Sequence, residues 1–167
     1  MRFVLIAVLA CVACSNGAKR EDAPMPPKNT APGDSQAPQQ PANQPKVYVS
    51  SQSGEVAVNV EVVATEAKIE RGLMYRQALA LDAGMLFMMG HEKKWSFWMR
   101  NTLIPLDMLF IGKDKVVVGI VENAEPKTET LREVSGPSLY VLEVNGGWAK
   151  QHKVEAGAKV RFENVTE

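Results

Sequence analysis

Between residues 56 and 63 the chain reads Val-Ala-Val-Asn-Val-Glu-Val-Val, with β-branched side chains at near-alternate positions. This is the period of a half-buried strand. Thr65 comes next, placed to cap a short helix over 66–75 whose first residue, Glu66, lies favourably at the positive end of the helix dipole. Short apolar runs then predict strands at 84–89, 95–99, 106–111, 116–122 and 140–144. Gly112-Lys113-Asp114-Lys115 separates two of them as a tight turn, a hairpin signal. One helical turn fits 148–152, and a closing strand fits 158–163. Many short strands joined by turns, with few helices, predict the α+β class: a β-rich, antiparallel, barrel-like sheet with one or two short helices. No internal repeat is present.

This patterning is absent ahead of Val47. From Gly17 to Lys46 the chain is mostly Ala, Pro, Gln, Asn, Lys and Asp, with Met25 its one large apolar residue and seven of the ten prolines. Such a stretch buries too little apolar surface to offset the entropy of ordering it. Residues 15–46 are therefore expected to be a disordered, extended Pro/Ala/Gln-rich tether. A single globular domain is expected over 47–167, which holds all three Trp, all three Tyr and four of the five Phe. Residues 1–14 give one basic residue, Arg2, then a short apolar run, then small residues ahead of a cysteine. That segment resembles the bacterial lipoprotein signal, in which the cysteine is lipidated and becomes the new N-terminus. Cys14 is the preferred lipid site. Cys11 has the better residues before it, Val8-Leu9-Ala10, but leaves a shorter signal than the usual ~15–30 residues. Both assignments stay open, beside a plain cleaved signal or a buried N-terminal strand.

Composition narrows the function classes. Nineteen basic residues balance nineteen acidic ones, for a formal net charge of zero. The basic footprint that phosphate-backbone binding requires is missing, so no nucleic-acid partner is expected. No apolar run approaches the ~18 residues of a membrane-spanning helix, leaving an N-terminal lipid as the expected membrane connection. The address implied is the cell envelope after export, on the outer membrane or periplasmic face, and Ser15 is compatible with outer-membrane sorting. Both cysteines lie in the first 14 residues, so a disulfide, thiol catalysis and Cys-ligated zinc are excluded from the domain. His91 and His152 show no metal-ligand spacing, and neither a phosphate-binding Gly loop nor a nucleophile elbow occurs. No cofactor is expected.

The chemistry-bearing residues fall in two segments. One runs from Phe97 through Trp98, Met99, Asn101 and Thr102 to Pro105, Leu106 and Asp107; the other spans Tyr140 to Trp148 and places Glu143 and Asn145 on one strand face. If the two strands are neighbours, Asp107 and Glu143 are expected to face each other. At these residues the chain resembles the domain-of-unknown-function 192 family of small bacterial and archaeal domains. The resemblance runs over about residues 56–163: Arg71-Gly72-Leu73-Met74, Gly84-Met85-Leu86-Phe87, the Phe97-to-Asp107 segment, and Tyr140-Val141-Leu142-Glu143 with Asn145, Gly147 and Trp148. It implies a compact β-rich fold and carries no activity with it. Many members place a cysteine after the proline matching Pro126, where this chain has Lys127.

Each candidate has a structural alternative. Phe97, Trp98 and Met99 are core residues or a stacking platform. Asn101 and Thr102 either satisfy loop backbone groups or meet a ligand. Asp107, between Leu106 and Met108, needs a partner such as Arg71 or Arg100 if it is structural, and is otherwise poised for function. Glu143 divides the same way. Arg71, Gly72, Gly84, Pro105, Gly147 and Trp148 read as structural motif residues. The sequence thus points to a lipid-anchored envelope protein binding a small polar ligand, a sugar among the candidates, through Trp98, Asn101, Thr102, Asp107, Glu143 and Asn145. The alternatives are an accessory or structural protein, a hydrolase using Asp107 and Glu143 as a carboxylate pair, and a Cu(I) protein using Met74, Met85, Met88, Met89, Met99 and Met108. Enzymatic activity is not favoured.

Overall fold

The computed structural model describes residues 43–166; Cys11, Cys14 and nearly all of the expected tether lie outside them. Seven strands and two short helices follow in order: β1 (Lys46–Ser51), β2 (Gly54–Val63), α1 (Glu66–Arg71), β3 (Ala83–Lys93), β4 (Leu106–Ile111), β5 (Val117–Ala124), β6 (Ser138–Asn145), α2 (Trp148–His152) and β7 (Val160–Glu163). The fold is α+β and β-rich, as expected, with one sheet ordered β5-β4-β6-β3-β2-β1-β7. Its neighbours are antiparallel except β2 and β3, which run parallel because α1 and the loop after it carry the chain back across.

Three elements differ from the sequence expectation. β1, to which the pattern assigns no strand, buries Val47 and Val49 on one face and pairs with β2 and β7. The helix expected over 66–75 stops at Arg71, because Gly72 takes φ 46° and turns the chain away. Thr65 precedes that helix in extended geometry, but its side chain makes no capping bond. Residues 95–99 form no strand of the sheet. Phe97 instead exchanges two backbone hydrogen bonds with Arg132, at 2.9 and 2.8 Å, and the Met99 N–H donates to the Thr128 carbonyl at 2.9 Å.

The sheet curls until its edge strands meet beside the first residues of β5 and β7. There Val116 bridges Lys159, the Val117 N–H donates to the Ala158 carbonyl at 2.9 Å, and the Gly157 N–H donates to the Val117 carbonyl at 2.7 Å. Strand alternation then sorts the apolar residues into two cores. The inner core takes residues from all seven strands, Leu86, Leu109 and Leu142 among them, and is closed by Trp148 and Ala149 of α2. The outer core lies on the other face of the middle strands, where Met85, Phe87, Met108, Phe110 and Val141 meet Leu73 and Met99 from the connecting segments. Phe97 joins Phe87 and Phe110 edge-on, with ring centroids 5.4 and 5.8 Å apart, and fastens the 95–99 segment over this face.

Candidate functional site

The pairing register of β4 and β6 decides where the two acidic candidates point. Asp107 lies opposite Val144 and Met108 opposite Glu143, and directly paired residues share a face. Asp107 therefore faces the inner core with Val144, while Glu143 faces the outer core with Met108. The two carboxylates stand on neighbouring strands but on opposite sides of the sheet. The expectation that they face each other is not met, and a hydrolytic pair built from them has no common substrate position.

Asp107 is fully buried, and its partners are not the arginines expected from sequence. Its Oδ1 accepts the backbone N–H of Asn123 at 2.6 Å and of Gly147 at 2.9 Å, and its Oδ2 accepts that of Ala149 at 2.7 Å. One carboxylate thus ties β4 to the end of β5 and to the first turn of α2, satisfying donors the short helix leaves open. Asn145 has a comparable part. Its Nδ2 donates to the carbonyls of Leu79 and Ala80, pinning the chain that leads into β3. Asn101 occupies a left-handed position, φ 58°, in the turn after Arg100. Its Nδ2 approaches the Met74 sulfur at 4.0 Å.

Glu143 has a different environment. Between the outer face of the sheet and the segments covering it lies a cavity of about 270 Å³, walled by Leu73, Phe87, Met89 and Phe97 and reached by Glu143, Thr102, Trp98 and Arg71. Glu143 is 4% exposed and has no hydrogen bond or ion pair to any described residue. Desolvation by burial pushes its carboxyl up to about 8, so at neutral pH it is mostly a neutral acid that both donates and accepts. Thr102 is 5% exposed, and its hydroxyl likewise bonds to no described residue. Trp98 is 36% exposed and carries the Arg100 guanidinium over its ring at 4.1 Å; Arg100 also pairs with Glu70 at 3.8 Å.

Close approach explains the glycine of β3. A Cβ on Gly84 would stand 2.7 Å from the Glu143 carbonyl oxygen and 3.0 Å from Val58 Cγ1. That contact sets β3 against β6 directly behind the acid. Of the six expected ligand residues, the structure gathers Trp98, Thr102 and Glu143 on the cavity, while Asp107 and Asn101 lie off it. Asn145 lines a second cavity, of about 300 Å³, beside Asp82, Trp148 and His152. Arg71, read from sequence as a motif residue, lines the first cavity and forms no ion pair with a described residue. Its place in the Arg71-Gly72-Leu73-Met74 segment of the family resemblance is what marked it as a motif residue. The methionines proposed as soft ligands are largely core: Met85, Met99 and Met108 are 3%, 0% and 0% exposed in the outer cluster. Among the described residues, no group of three His, Asp or Glu gathers as a metal site.

A curled seven-stranded sheet whose roofed outer face encloses one unpaired buried acid defines a small, cavity-bearing β-rich domain. The model of the DUF192 family, "Uncharacterized ACR", matches residues 48–162, and the chain belongs to that family. Two solved structures are similar. A protein of unknown function from Novosphingobium aromaticivorans is 41% identical with a TM-score of 0.68, over 70% of this chain and 83% of its own. A Sinorhizobium meliloti protein, named a "putative transcription regulator", is 37% identical with a TM-score of 0.69, over 73% of this chain and 95% of its own. No curated protein matches the chain.

Proposed function

We propose that the domain is a binding module for a small ligand taken into the outer cavity, carried at the cell envelope by a lipid on Cys14. The observation that carries the reading is the pair Glu143 and Thr102. Both are buried, both open onto the cavity, and neither has a hydrogen-bond partner among the described residues. Buried polar groups are normally paired, and a pair left open toward a cavity is what an absent ligand would satisfy. Ile69, Leu73, Met74, Phe87, Met89 and Phe97 make much of the wall apolar, which favours a ligand with an apolar body over the polyol anticipated from sequence. An accessory role fits Asp107 and Asn145, which brace backbone, but leaves the open pair unexplained. The Sinorhizobium relative's name as a regulator specifies no ligand for this cavity, and zero net charge provides no electrostatic basis for a nucleic-acid partner.

The test is a thermal-shift screen of the full chain, purified in detergent, against sugars, cell-wall fragments, nucleotides, carboxylates and amines. A ligand at about 100 times its Kd adds roughly 2.7 kcal/mol to folding stability. A hit should move the methyl signals of Met74 and Met89, which line the cavity, and should be lost in Ser96→Trp, an exposed lining position where an indole fills the mouth. A panel that yields no such hit refutes the proposal.

A further inference from the structure

We infer that the ligand is a small carboxylate, held at Arg71 by its anion and meeting Glu143 and Thr102 through a hydroxyl or amide at its far end. The inference rests on the cavity being the binding site, as proposed above.

Three polar side chains on the cavity bond to no described residue: Arg71, Thr102 and Glu143. They differ sharply in exposure. Arg71 is exposed and marks the mouth, while Thr102 and Glu143, 5% and 4% exposed, mark the interior. Leu73, Phe87 and Met89, which line the same cavity, offer no side-chain hydrogen bond. At the mouth, the other acidic lining residue, Glu70, is taken up by Arg100, which itself stacks on Trp98. Arg71 is thus the cation left uncompensated there, and a guanidinium presents paired N–H donors that match a carboxylate. In the interior a hydroxyl and a carboxylic acid each donate and accept, which a ligand hydroxyl or amide satisfies and an alkyl end does not. An anion placed at that depth would lack a cation. A volume of about 270 Å³ restricts the body to a short chain.

The probes are ω-hydroxyhexanoate, hexanoate, hexanediol and aminohexanol, titrated into the full chain in detergent and followed at the Met74 and Met89 methyls. Hydroxyhexanoate should bind roughly tenfold more tightly than hexanediol or aminohexanol, the size of one charge-assisted contact, and more tightly than hexanoate. Arg71→Ala changes an exposed side chain and should bring hydroxyhexanoate down to the affinity of hexanediol, with Arg71→Lys restoring part of the difference. Equal affinity for hydroxyhexanoate and hexanediol, or preference for aminohexanol, overturns the carboxylate assignment while leaving the cavity a binding site. Silence of both methyls toward all four probes also overturns it, and the broader screen then decides whether the cavity binds anything.

Discussion

Glu143→Gln keeps the size of the side chain and removes its titration, which makes it a direct measure of what burying this acid costs. In the folded protein the carboxyl is displaced from its ordinary value of 4.5 to about 8, by desolvation. Between those limits the folded state holds a proton that the unfolded state releases, so stability falls as pH rises from about 4.5 and levels off above about 8. Each pH unit of displacement corresponds to about 1.4 kcal/mol, so the whole interval amounts to roughly 5 kcal/mol. That is an upper bound, because water entering the cavity solvates the anion. The assay is urea denaturation of both proteins from pH 5 to 9, in which every other titrating group cancels in the difference. The variant should gain steadily on the wild type as pH rises. With m near 1–3 kcal/mol/M, the gain is roughly 2 M in midpoint. Denaturation profiles that run parallel across the range would refute the assignment of Glu143 as an unpaired buried acid.

Asp107→Ala removes the shared acceptor of three backbone N–H groups and should cost about 3–5 kcal/mol, read as a fall in the urea midpoint. A loss under about 1 kcal/mol would show that water replaces the carboxylate. Gly84→Ala drives a Cβ against the Glu143 carbonyl and should cost about 2–3 kcal/mol by thermal melting, with an unchanged melt counting against the close β3–β6 approach. Cys14→Ser should move the protein from the membrane fraction to the soluble one; continued membrane association counts against lipidation at that cysteine.

How far the sequence could be read depended on what each signal reports. Alternation found β2 because Val58 and Val60 are buried on one face with intervening residues less so, and Gly112 to Lys115 turned out to join β4 to β5. The same signal failed at 95–99, since apolar spacing reports burial and not pairing: Phe97 and Met99 pack into the outer core, but as part of a segment lying over the sheet and not as one of its strands. β1 was missed because it abuts a proline-rich stretch and buries only Val47 and Val49. At the site, residue type found Glu143 and Thr102, but register was invisible. A shift of one position in the β4–β6 pairing exchanges the faces, and nothing local in the sequence distinguishes Asp107 facing Glu143 from Asp107 turned away. Arg71 went unread as a binding group because the sequence offered it as a motif residue and as a structural partner for Asp107, and its place on the cavity depends on the fold.

The pairing of β1 with β7 bears on when this fold can form. Lys46 stands opposite Glu163, so the first strand gains its second neighbour only after nearly the whole domain has been synthesised. The meeting of Val116 with Lys159 depends on the same late residues. A chain emerging in order holds most of its strands for many seconds without the contacts that close the sheet, at about 5–20 residues per second. Non-local pairing of this kind also places the domain with proteins that fold in milliseconds to seconds, well behind helical bundles. An incomplete chain is therefore slow to lock, and the sheet closes only once the last strand is available to pair.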